Sequence, residues 1–299
     1  MPQHLPRVIR LAIKYYRTQL RLMALVSNKW AAEKAVQIFI KPHPAPKLKN
    51  PPIFEKATPL QLISGGLKLN GYYWENPIPN AKKCLIAHGF AGNCRKFDVY
   101  VQPLLDNGFS VFMYDAPAHG NSEGKVLFAL NYATAIKNMV AKHGAFDACI
   151  GHSLGGLSIM LAMENLNWIK PPSTREKQKP AKIILLAPAT ESTTAADIFF
   201  GYLKLSPAIR EKFDEVVLTV SHHPLEWYSV SRILPACQAD ILWVHDRDDI
   251  TTPLKDVEPL MQQHPKNVEF YLTHGLGHSK IYRNKSVIQK IMDFLQHVN

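Results

Sequence analysis

The sequence predicts an α/β fold in which a mostly parallel sheet is covered by helices on both faces. Helix-like stretches at 96–107, 126–142 and 155–168 separate short apolar runs, and each run ends in glycine, aspartate or histidine. The runs are KCLIAHGF, FSVFMYDAP, ACIGHSLGG, KIILLAPAT, DILWVHDRDD and VEFYLTHGLGH. Apolar strands that alternate with helices are typical of a parallel sheet buried on both sides. The composition, 46% hydrophobic and 20% charged over 299 residues, allows a sizeable core and argues against disorder.

The positive charge is concentrated before the first strand. Residues 1–56 contain eleven Lys and Arg but only two acids, which gives +9, and the rest of the chain contributes +2 of the total of +11. Residues 5–40 are predicted to form one long helix or two in tandem. The prolines of KPHPAP end it, and an extended linker follows through Pro52. Spacings of three and four place five cations on one helix face, namely Arg7, Arg10, Lys14, Arg17 and Arg21.

Two interpretations of this basic arm are open. The helix packs on the body with its Lys and Arg in water, or it lies at the surface of an anionic membrane as a peripheral contact. The apolar residues that would serve either role are Leu22, Met23, Leu25, Trp30, Ile38 and Phe39. Nucleic acid is not an expected partner, because no recognised nucleic-acid-binding module accompanies the charge.

The cysteines and the N-terminus indicate a cytoplasmic protein. The four cysteines, Cys84, Cys94, Cys149 and Cys237, form no CxxC pair and no cluster with zinc spacing. Reduced structural thiols fit the cytoplasm better than a secreted, disulfide-linked protein. Arginines recur through the region where a signal peptide would be apolar. No uncharged apolar run reaches the roughly 18 residues of a transmembrane helix.

Four regions follow along the chain: the basic arm and linker at 1–56, a first core part at 57–190, an insertion at 191–235 and a second core part at 236–299. The core opens with an antiparallel hairpin around Gly65 and Gly66. Residues 170–180 are a charged surface loop. The insertion shows about three helical patterns and no strand, and is predicted to be a cap. Its large apolar side chains suggest an apolar acyl or alcohol group in the substrate, unless they pack the cap: Phe199, Phe200, Tyr202, Leu203, Phe213, Trp227 and Tyr228.

The segment GHSLGG at 151–156 carries the most specific chemistry. It follows the apolar run ACI and precedes a helical stretch, so Ser153 is predicted to lie on a sharp strand-to-helix turn. Such a turn requires small neighbours, which Gly151 and Gly155 supply. The N–H groups at the start of the following helix favour developing negative charge. We therefore expect Ser153 to be a nucleophile.

A serine nucleophile needs a base and an acid that orients the base. His278, in a glycine-rich loop after the last apolar run, is the predicted base, and His274 in the same loop is its competitor. The acid is expected after the preceding run, where HDRDDITTP offers Asp246, Asp248 and Asp249. Spacing alone leaves these three aspartates nearly equal.

An oxyanion formed during acyl transfer needs two backbone donors. The N–H of Leu154, directly after the nucleophile, is one candidate. The N–H of Phe90 in the tight turn HGF is the other, with His88 as a structural partner. A further loop, DAPAHGNS at 115–122, contains Asp115 and His119. We expect these two residues to brace the loop rather than to act in catalysis.

These residues resemble the α/β-hydrolase superfamily from about Leu60 to Asn299. The similarity consists of HGF, DAPAHGNS, GHSLGG, HDRDDITTP and GLGH, with nucleophile, acid and histidine in the superfamily's order. It implies an eight-stranded, mostly parallel sheet with a helical cap after the sixth strand, which is where residues 191–235 fall. It also maps the acid to Asp249 and the proline of its motif to Pro253. Asp246 departs from the pattern, which usually has glycine there.

The sequence thus predicts a cofactor-free, metal-free serine hydrolase acting on a small-molecule ester or thioester. Ser153, His278 and Asp249 are its expected triad, with Phe90 and Leu154 as oxyanion donors. The same triad serves peptidases, lipases and perhydrolases, which remain alternatives. Dehalogenation is disfavoured, because it normally uses an aspartate in place of Ser153. A non-catalytic binding protein on the same fold is the alternative from another class.

Overall fold

One sheet organises the larger of two units in the computed structural model, which describes residues 7–42, 49–164 and 182–297. Within these ranges, the smaller unit consists of residues up to Lys41 together with Glu191–Ser229, and the larger unit contains the remainder. The described strands are β1 (Thr58–Ser64), β2 (Leu67–Trp74), β3 (Lys82–Ala87), β4 (Phe109–Tyr114), β5 (Ala148–His152), β6 (Lys182–Leu186), β7 (Asp240–Asp246) and β8 (Val268–Thr273).

The sheet has the strand order β1-β2-β4-β3-β5-β6-β7-β8. Strand β2 is antiparallel to both of its neighbours, and all the other pairs are parallel. The eight-stranded, mostly parallel sheet is therefore confirmed, and the predicted hairpin turns at Gly65 and Gly66. Every residue of β4 and β5 is buried, as expected for strands covered on both faces.

Eleven α-helices occur in the described part of the chain, several of them short. They are α1 (Arg7–Val26), α2 (Asn28–Phe39), α3 (Asp98–Asp106), α4 (Ala129–His143), α5 (Leu154–Met163), α6 (Ser192–Leu203), α7 (Pro207–Ser221), α8 (Val230–Ile233), α9 (Glu258–Gln262), α10 (Gly277–Lys280) and α11 (Lys285–Gln296). The predicted N-terminal helix is thus two helices in tandem. The predicted surface loop at 170–180 lies outside the described residues.

The core of the larger unit lies between the sheet and helices α3 and α11. Ile86, Ile150 and Leu242 from the strands pack in one buried cluster with Tyr100 of α3 and Ile291 of α11. Successive strand side chains point to opposite faces, so the neighbouring buried residues of the same strands face the other layer of helices. The side chains at the ends of the parallel strands are consequently held on a rigid, two-sided core.

The smaller unit joins the N-terminal helices to the insertion. Leu20 of α1 and Ala35 of α2 are buried together with Phe200 of α6 and Phe213 of α7. Ser27 caps α2, its hydroxyl oxygen accepting a hydrogen bond from the Trp30 N–H at 3.3 Å. The sequence interpretation treated the arm and the insertion as separate regions, and the structure adds that residues 7–41 and Glu191–Ser229 share one core.

Candidate active site

Ser153 occupies the turn between β5 and α5. Its backbone has φ 52° and ψ −122°, in the left-handed region that non-glycine residues rarely adopt. Such a conformation costs on the order of 1–3 kcal/mol and persists only where the surrounding structure holds it. A side chain at Gly155 would place its Cβ 2.3 Å from the Ala87 carbonyl oxygen, so this turn can pack on β3 only with glycine there. The predicted strand–turn–helix setting of Ser153 is therefore present.

The loop after β3 runs directly against Ser153. A Cβ added at Gly89 would lie 2.9 Å from the Ser153 Cβ, which leaves room only for glycine at this crossing. Phe90 follows at once. Among the described residues, none accepts a hydrogen bond from the N–H of Phe90 or of Leu154. Donors to an oxyanion must be unused within the fold, and both N–H groups meet this condition among the described residues.

His88 holds the start of this loop. Its Nε2 accepts a hydrogen bond from the Ala116 N–H at 2.9 Å, so Nδ1 carries the proton and donates to the Gly89 carbonyl at 2.8 Å. Burial, and then the nearby His119, lowers the pKa of His88 to about 4. His88 is thus a neutral structural partner at physiological pH, in the role that the sequence assigned to it.

His119 holds the other end of the same loop. Its Nε2 accepts from the Ala91 N–H at 3.0 Å, and its Nδ1 donates to the Pro117 carbonyl at 2.9 Å. Burial also lowers the pKa of His119. His119 therefore holds the peptide group between Phe90 and Ala91, next to the one that carries the Phe90 N–H. The loop at 115–122 therefore supports the site through backbone contacts.

Asp115 is buried and braces this region from behind. Its Oδ1 accepts a hydrogen bond from the Cys94 N–H at 2.9 Å, and its Oδ2 accepts one from the Asn121 N–H at 2.9 Å. The Ser122 hydroxyl donates to the Asp115 carbonyl at 2.6 Å. Both carboxylate oxygens are thus engaged by backbone donors, which is the arrangement of a loop-bracing residue.

Asp249 and His278 form a pair at the ends of β7 and β8. Their side chains meet at 2.7 Å between Asp249 Oδ2 and His278 Nδ1. Burial by itself would raise the pKa of Asp249, but hydrogen bonds from His278 and from the N–H and hydroxyl of Thr252 hold it below its ordinary value. An ionised Asp249 keeps the proton on Nδ1, which leaves the lone pair of Nε2 free to accept a proton.

Asp246 and Asp248 hold the loop that leads to His278. Asp246 Oδ2 accepts hydrogen bonds from the Thr273 hydroxyl at 2.7 Å and from the Leu276 N–H at 3.0 Å. Asp248 pairs at 2.8 Å with His274, whose side chain is 79% exposed. The competitor histidine and two of the three candidate acids are therefore engaged away from the Asp249–His278 pair.

His152 links the histidine loop to the serine turn. Its Nε2–H donates to the His278 carbonyl at 3.0 Å, and the two imidazole rings lie 4.7 Å apart between centroids. Burial, and then the nearby His278, lowers the pKa of His152 to about 3, so this ring stays neutral. His278 is thereby held beside the residue that precedes Ser153. The Ser153 hydroxyl has no hydrogen-bond partner among the residues that the structure describes.

Two residues of this site were missed by the sequence interpretation. One is His152, the variable position inside GHSLG. The other is Thr252, whose hydroxyl lies 2.9 Å from Asp249 Oδ2 and 3.2 Å from His278 Nδ1. His245 Nε2 contacts the Thr252 carbonyl at 2.7 Å, which holds this residue in place. The only sequence signal for Thr252 was a hydroxyl three residues after the acid.

The large apolar side chains of the insertion pack mainly within their own unit. Phe200, Leu203 and Phe213 are buried in its core. Phe39 of α2 makes edge-to-face contacts with Phe199 and Phe213, at centroid distances of 5.3 and 5.6 Å. These side chains therefore pack within the protein, which was the alternative to substrate contact, and they do so together with residues of α1 and α2. They therefore lend no support to an apolar substrate.

The sheet and the serine turn identify the class: the chain is a member of the α/β-hydrolase superfamily. The family model described as serine aminopeptidase, S33, matches residues 79–234, which is just over half of the chain. The chain belongs to this family of hydrolases. The matched segment contains Ser153 and ends before Asp249 and His278.

Solved structures with the same fold include several esterases. An esterase of Pyrococcus furiosus superposes with a TM-score of 0.64 at 16% identity, covering 86% of this chain and 97% of its own. An esterase from Exiguobacterium antarcticum gives 0.57 at 14% identity, with 80% and 100% covered. Est1E from Butyrivibrio proteoclasticus, solved with ferulic acid bound, gives 0.53 at 20% identity, with 79% and 96% covered. At these identities the likeness shows the fold. No curated protein matches the chain.

Proposed function

We propose that this hydrolase cleaves carboxylic esters or thioesters of small molecules through an acyl-enzyme on Ser153. The observation that carries the proposal is the Asp249–His278 pair, whose carboxylate is buried, joined at 2.7 Å and held beside the serine turn through His152. A serine hydroxyl becomes an effective nucleophile only when such a base accepts its proton. The esterase neighbours are consistent with this chemistry.

The first half of the reaction forms the acyl-enzyme. The Ser153 hydroxyl proton passes to Nε2 of His278 while Oγ bonds to the acyl carbon. The carbonyl oxygen becomes an oxyanion, which the Phe90 and Leu154 N–H groups stabilise. Asp249 keeps the imidazole oriented and stabilises its cation. The tetrahedral intermediate then breaks the bond to the alcohol or thiol, which leaves with the proton from His278.

The second half regenerates the enzyme. A water molecule gives a proton to His278 and attacks the acyl carbon. The new tetrahedral intermediate breaks the bond to Oγ, and Ser153 recovers its proton from His278 as the carboxylic acid leaves. No redox step occurs, and the net reaction consumes one water. The positive end of α5, which begins at Leu154, favours the oxyanion in both halves.

The test is covalent labelling of the full chain with a fluorophosphonate, followed by digestion and mass spectrometry. We expect the label on Ser153 and turnover of p-nitrophenyl acetate. Ser153→Ala is expected to abolish labelling and to lower kcat by about 10⁵- to 10⁶-fold. Ser286→Ala, at an exposed position on α11, is the matched control. An unlabelled Ser153 together with no turnover would reject the proposal and favour a binding protein on this fold.

A second candidate is hydrolysis of an amide at a peptide N-terminus, which the description of the family favours. The two are separated by comparing p-nitrophenyl esters and thioesters, from acetyl to dodecanoyl, with aminoacyl p-nitroanilides. If the chain is an esterase or thioesterase, we expect kcat/KM to be larger for the esters and thioesters than for the anilides, and to vary with acyl-chain length. Faster cleavage of the anilides would replace it with the peptidase function.

A further inference from the structure

Helix α1 carries apolar residues on two faces, and only one of these faces is covered. On one side Leu20 is fully buried in the core of the smaller unit, with Ile13, Tyr16 and Met23 packed against it. On the other side six large apolar residues are between 58% and 83% exposed. They are Val8, Leu11, Tyr15, Leu22, Leu25 and Val26.

These six residues lie along one strip, here called the α1 strip, in which Thr18 is exposed as well. Their spacings of three, four, seven, three and one keep them within a single sector of the helix. Trp30, at the start of α2, is 57% exposed as well. Of the thirteen exposed large hydrophobic residues among those described, eight lie in 8–30. Contiguous apolar surface of this kind marks an interaction site.

The cations of α1 divide into two groups. Arg17 donates to the Tyr202 and Leu203 carbonyls at 2.7 and 3.1 Å, and Arg21 donates to the Lys204 carbonyl at 2.8 Å. These two arginines satisfy the carbonyls at the C-terminus of α6. Their role is thus to hold α1 in its own unit.

The other three cations are exposed and border the α1 strip. Arg7, Arg10 and Lys14 make no ion pair with any acid in the described part of the chain. At 100° per residue, Arg7 and Lys14 flank the side of the strip that includes Leu11 and Leu25. Helix α1 contains five cations and no acid, so its exposed surface is apolar along the strip and positive along one edge.

We propose that the α1 strip docks on an anionic lipid membrane. A helix with one apolar face and a flanking row of Lys and Arg lies in the plane of the membrane interface, with its apolar side chains among the acyl chains. No helix in the described ranges is long and apolar enough to span a bilayer. The negative headgroups complement Arg7, Arg10 and Lys14.

Other occupants match the surface less well. A second copy of the chain would bring another α1, with its five cations, against the first, and the like charges would repel. A nucleic acid would engage the cations but would leave the six apolar side chains in water. An anionic membrane takes up both groups at once. The proposal does not depend on the hydrolase chemistry of Ser153.

The test uses the full chain and sedimentation with vesicles of phosphatidylcholine alone or with one third phosphatidylglycerol. We expect binding to the anionic vesicles, weakened by raised salt, and little binding to the neutral ones. The triple variant Arg7→Gln, Arg10→Gln, Lys14→Gln should bind roughly a hundredfold more weakly, since each cation near the surface contributes about fivefold. Lys125→Gln, Lys266→Gln, Lys285→Gln removes the same charge from exposed sites elsewhere and should bind as the original chain does.

The apolar half of the surface is tested by Leu22→Ser with Leu25→Ser. Both positions are exposed, so the fold should persist, and circular dichroism checks it. We expect more than a tenfold loss of vesicle binding, against no loss for Ile63→Ser with Ile78→Ser, which are exposed on the larger unit. Equal binding to neutral and anionic vesicles, or no loss in either α1 variant, would overturn the proposal. Absence of vesicle binding would overturn it as well if sedimentation velocity showed a dimer, or if the chain bound a DNA duplex, and the α1 variants abolished that interaction.

Discussion

The strand-end loops around Ser153 bury polar groups, whereas the exposed side of α1 leaves large apolar groups on the surface. In the loops, His88, Asp115 and Asp249 are buried, and each has hydrogen-bond partners at defined distances. On α1, large apolar side chains and three cations are exposed and have no such partners among the residues that the structure describes. Buried and paired groups hold one geometry, as chemistry requires, whereas an exposed mixed surface is suited to an external partner.

The largest expected effect on this contrast is the loss of kcat on substitution of Asp249, compared with the same substitution of Asp246. Asp249→Asn should lower kcat for p-nitrophenyl acetate by about 10⁴-fold, because an amide cannot hold the imidazole cation or its tautomer. Asp246→Asn should lower kcat far less, since Asp246 contacts the loop and not the imidazole. Vesicle binding should be unchanged in both. A larger loss from Asp246→Asn would exchange the roles of the two aspartates.

The second prediction compares a leucine of α11 with one of α1. Leu295→Ala removes a buried side chain from the core of the larger unit and should lower the free energy of unfolding by about 2–5 kcal/mol. Leu25→Ala, at 83% exposure, should change it by less than about 0.5 kcal/mol. Urea unfolding measures both. If Leu25→Ala were as destabilising as Leu295→Ala, the α1 strip would be covered in solution.

The third prediction concerns the histidines buried near the site. Burial lowers the pKa of His88 to about 4, below the ordinary value of about 6.5 that applies in the unfolded chain. Below pH 6.5 the unfolded chain therefore takes up a proton that the folded chain does not, and stability falls as the pH falls toward 4. From pH 7 to pH 5 the loss from this residue is about 2 kcal/mol.

Unfolding at pH 7 and at pH 5 measures this effect. His88→Asn should reduce the difference in unfolding free energy between the two pH values. His297→Asn, at an exposed position after α11, is the matched control. An unchanged pH dependence in His88→Asn would mean that the pKa of His88 is the same in the folded and the unfolded chain. Added vesicles should leave the His88 effect in place, because it arises inside the larger unit.

The smallest expected effect belongs to Thr252. Thr252→Val removes the hydroxyl that contacts both Asp249 and His278 and should lower kcat about tenfold with little change in KM. Thr252→Ser restores the hydroxyl and should recover most of the rate. The limb of the pH–rate profile that reports the base should move in Thr252→Val and return in Thr252→Ser. A loss that serine does not restore would assign Thr252 to packing alone.

The α/β fold and the serine turn were predictable because their signals are local. Six apolar runs mark strands β3 to β8, of which β3 to β7 are largely buried, and GHSLGG contains the whole strand–turn–helix junction within a few residues. The insertion was recognised as helical for the same reason. Its partner was not predicted, because the contact of Phe39 with Phe199 joins residues far apart in the chain.

The sequence by itself determined which residue types could do the chemistry and which segments would be helix or strand. The tertiary structure decided which of three neighbouring aspartates meets His278, because the fold of the loop, and not its composition, directs each carboxylate. It also decided which apolar face of α1 is covered. Periodicity shows that a helix has apolar faces, but only the packing of α2, α6 and α7 determines that Leu20 is buried while Leu22 and Leu25 remain in water.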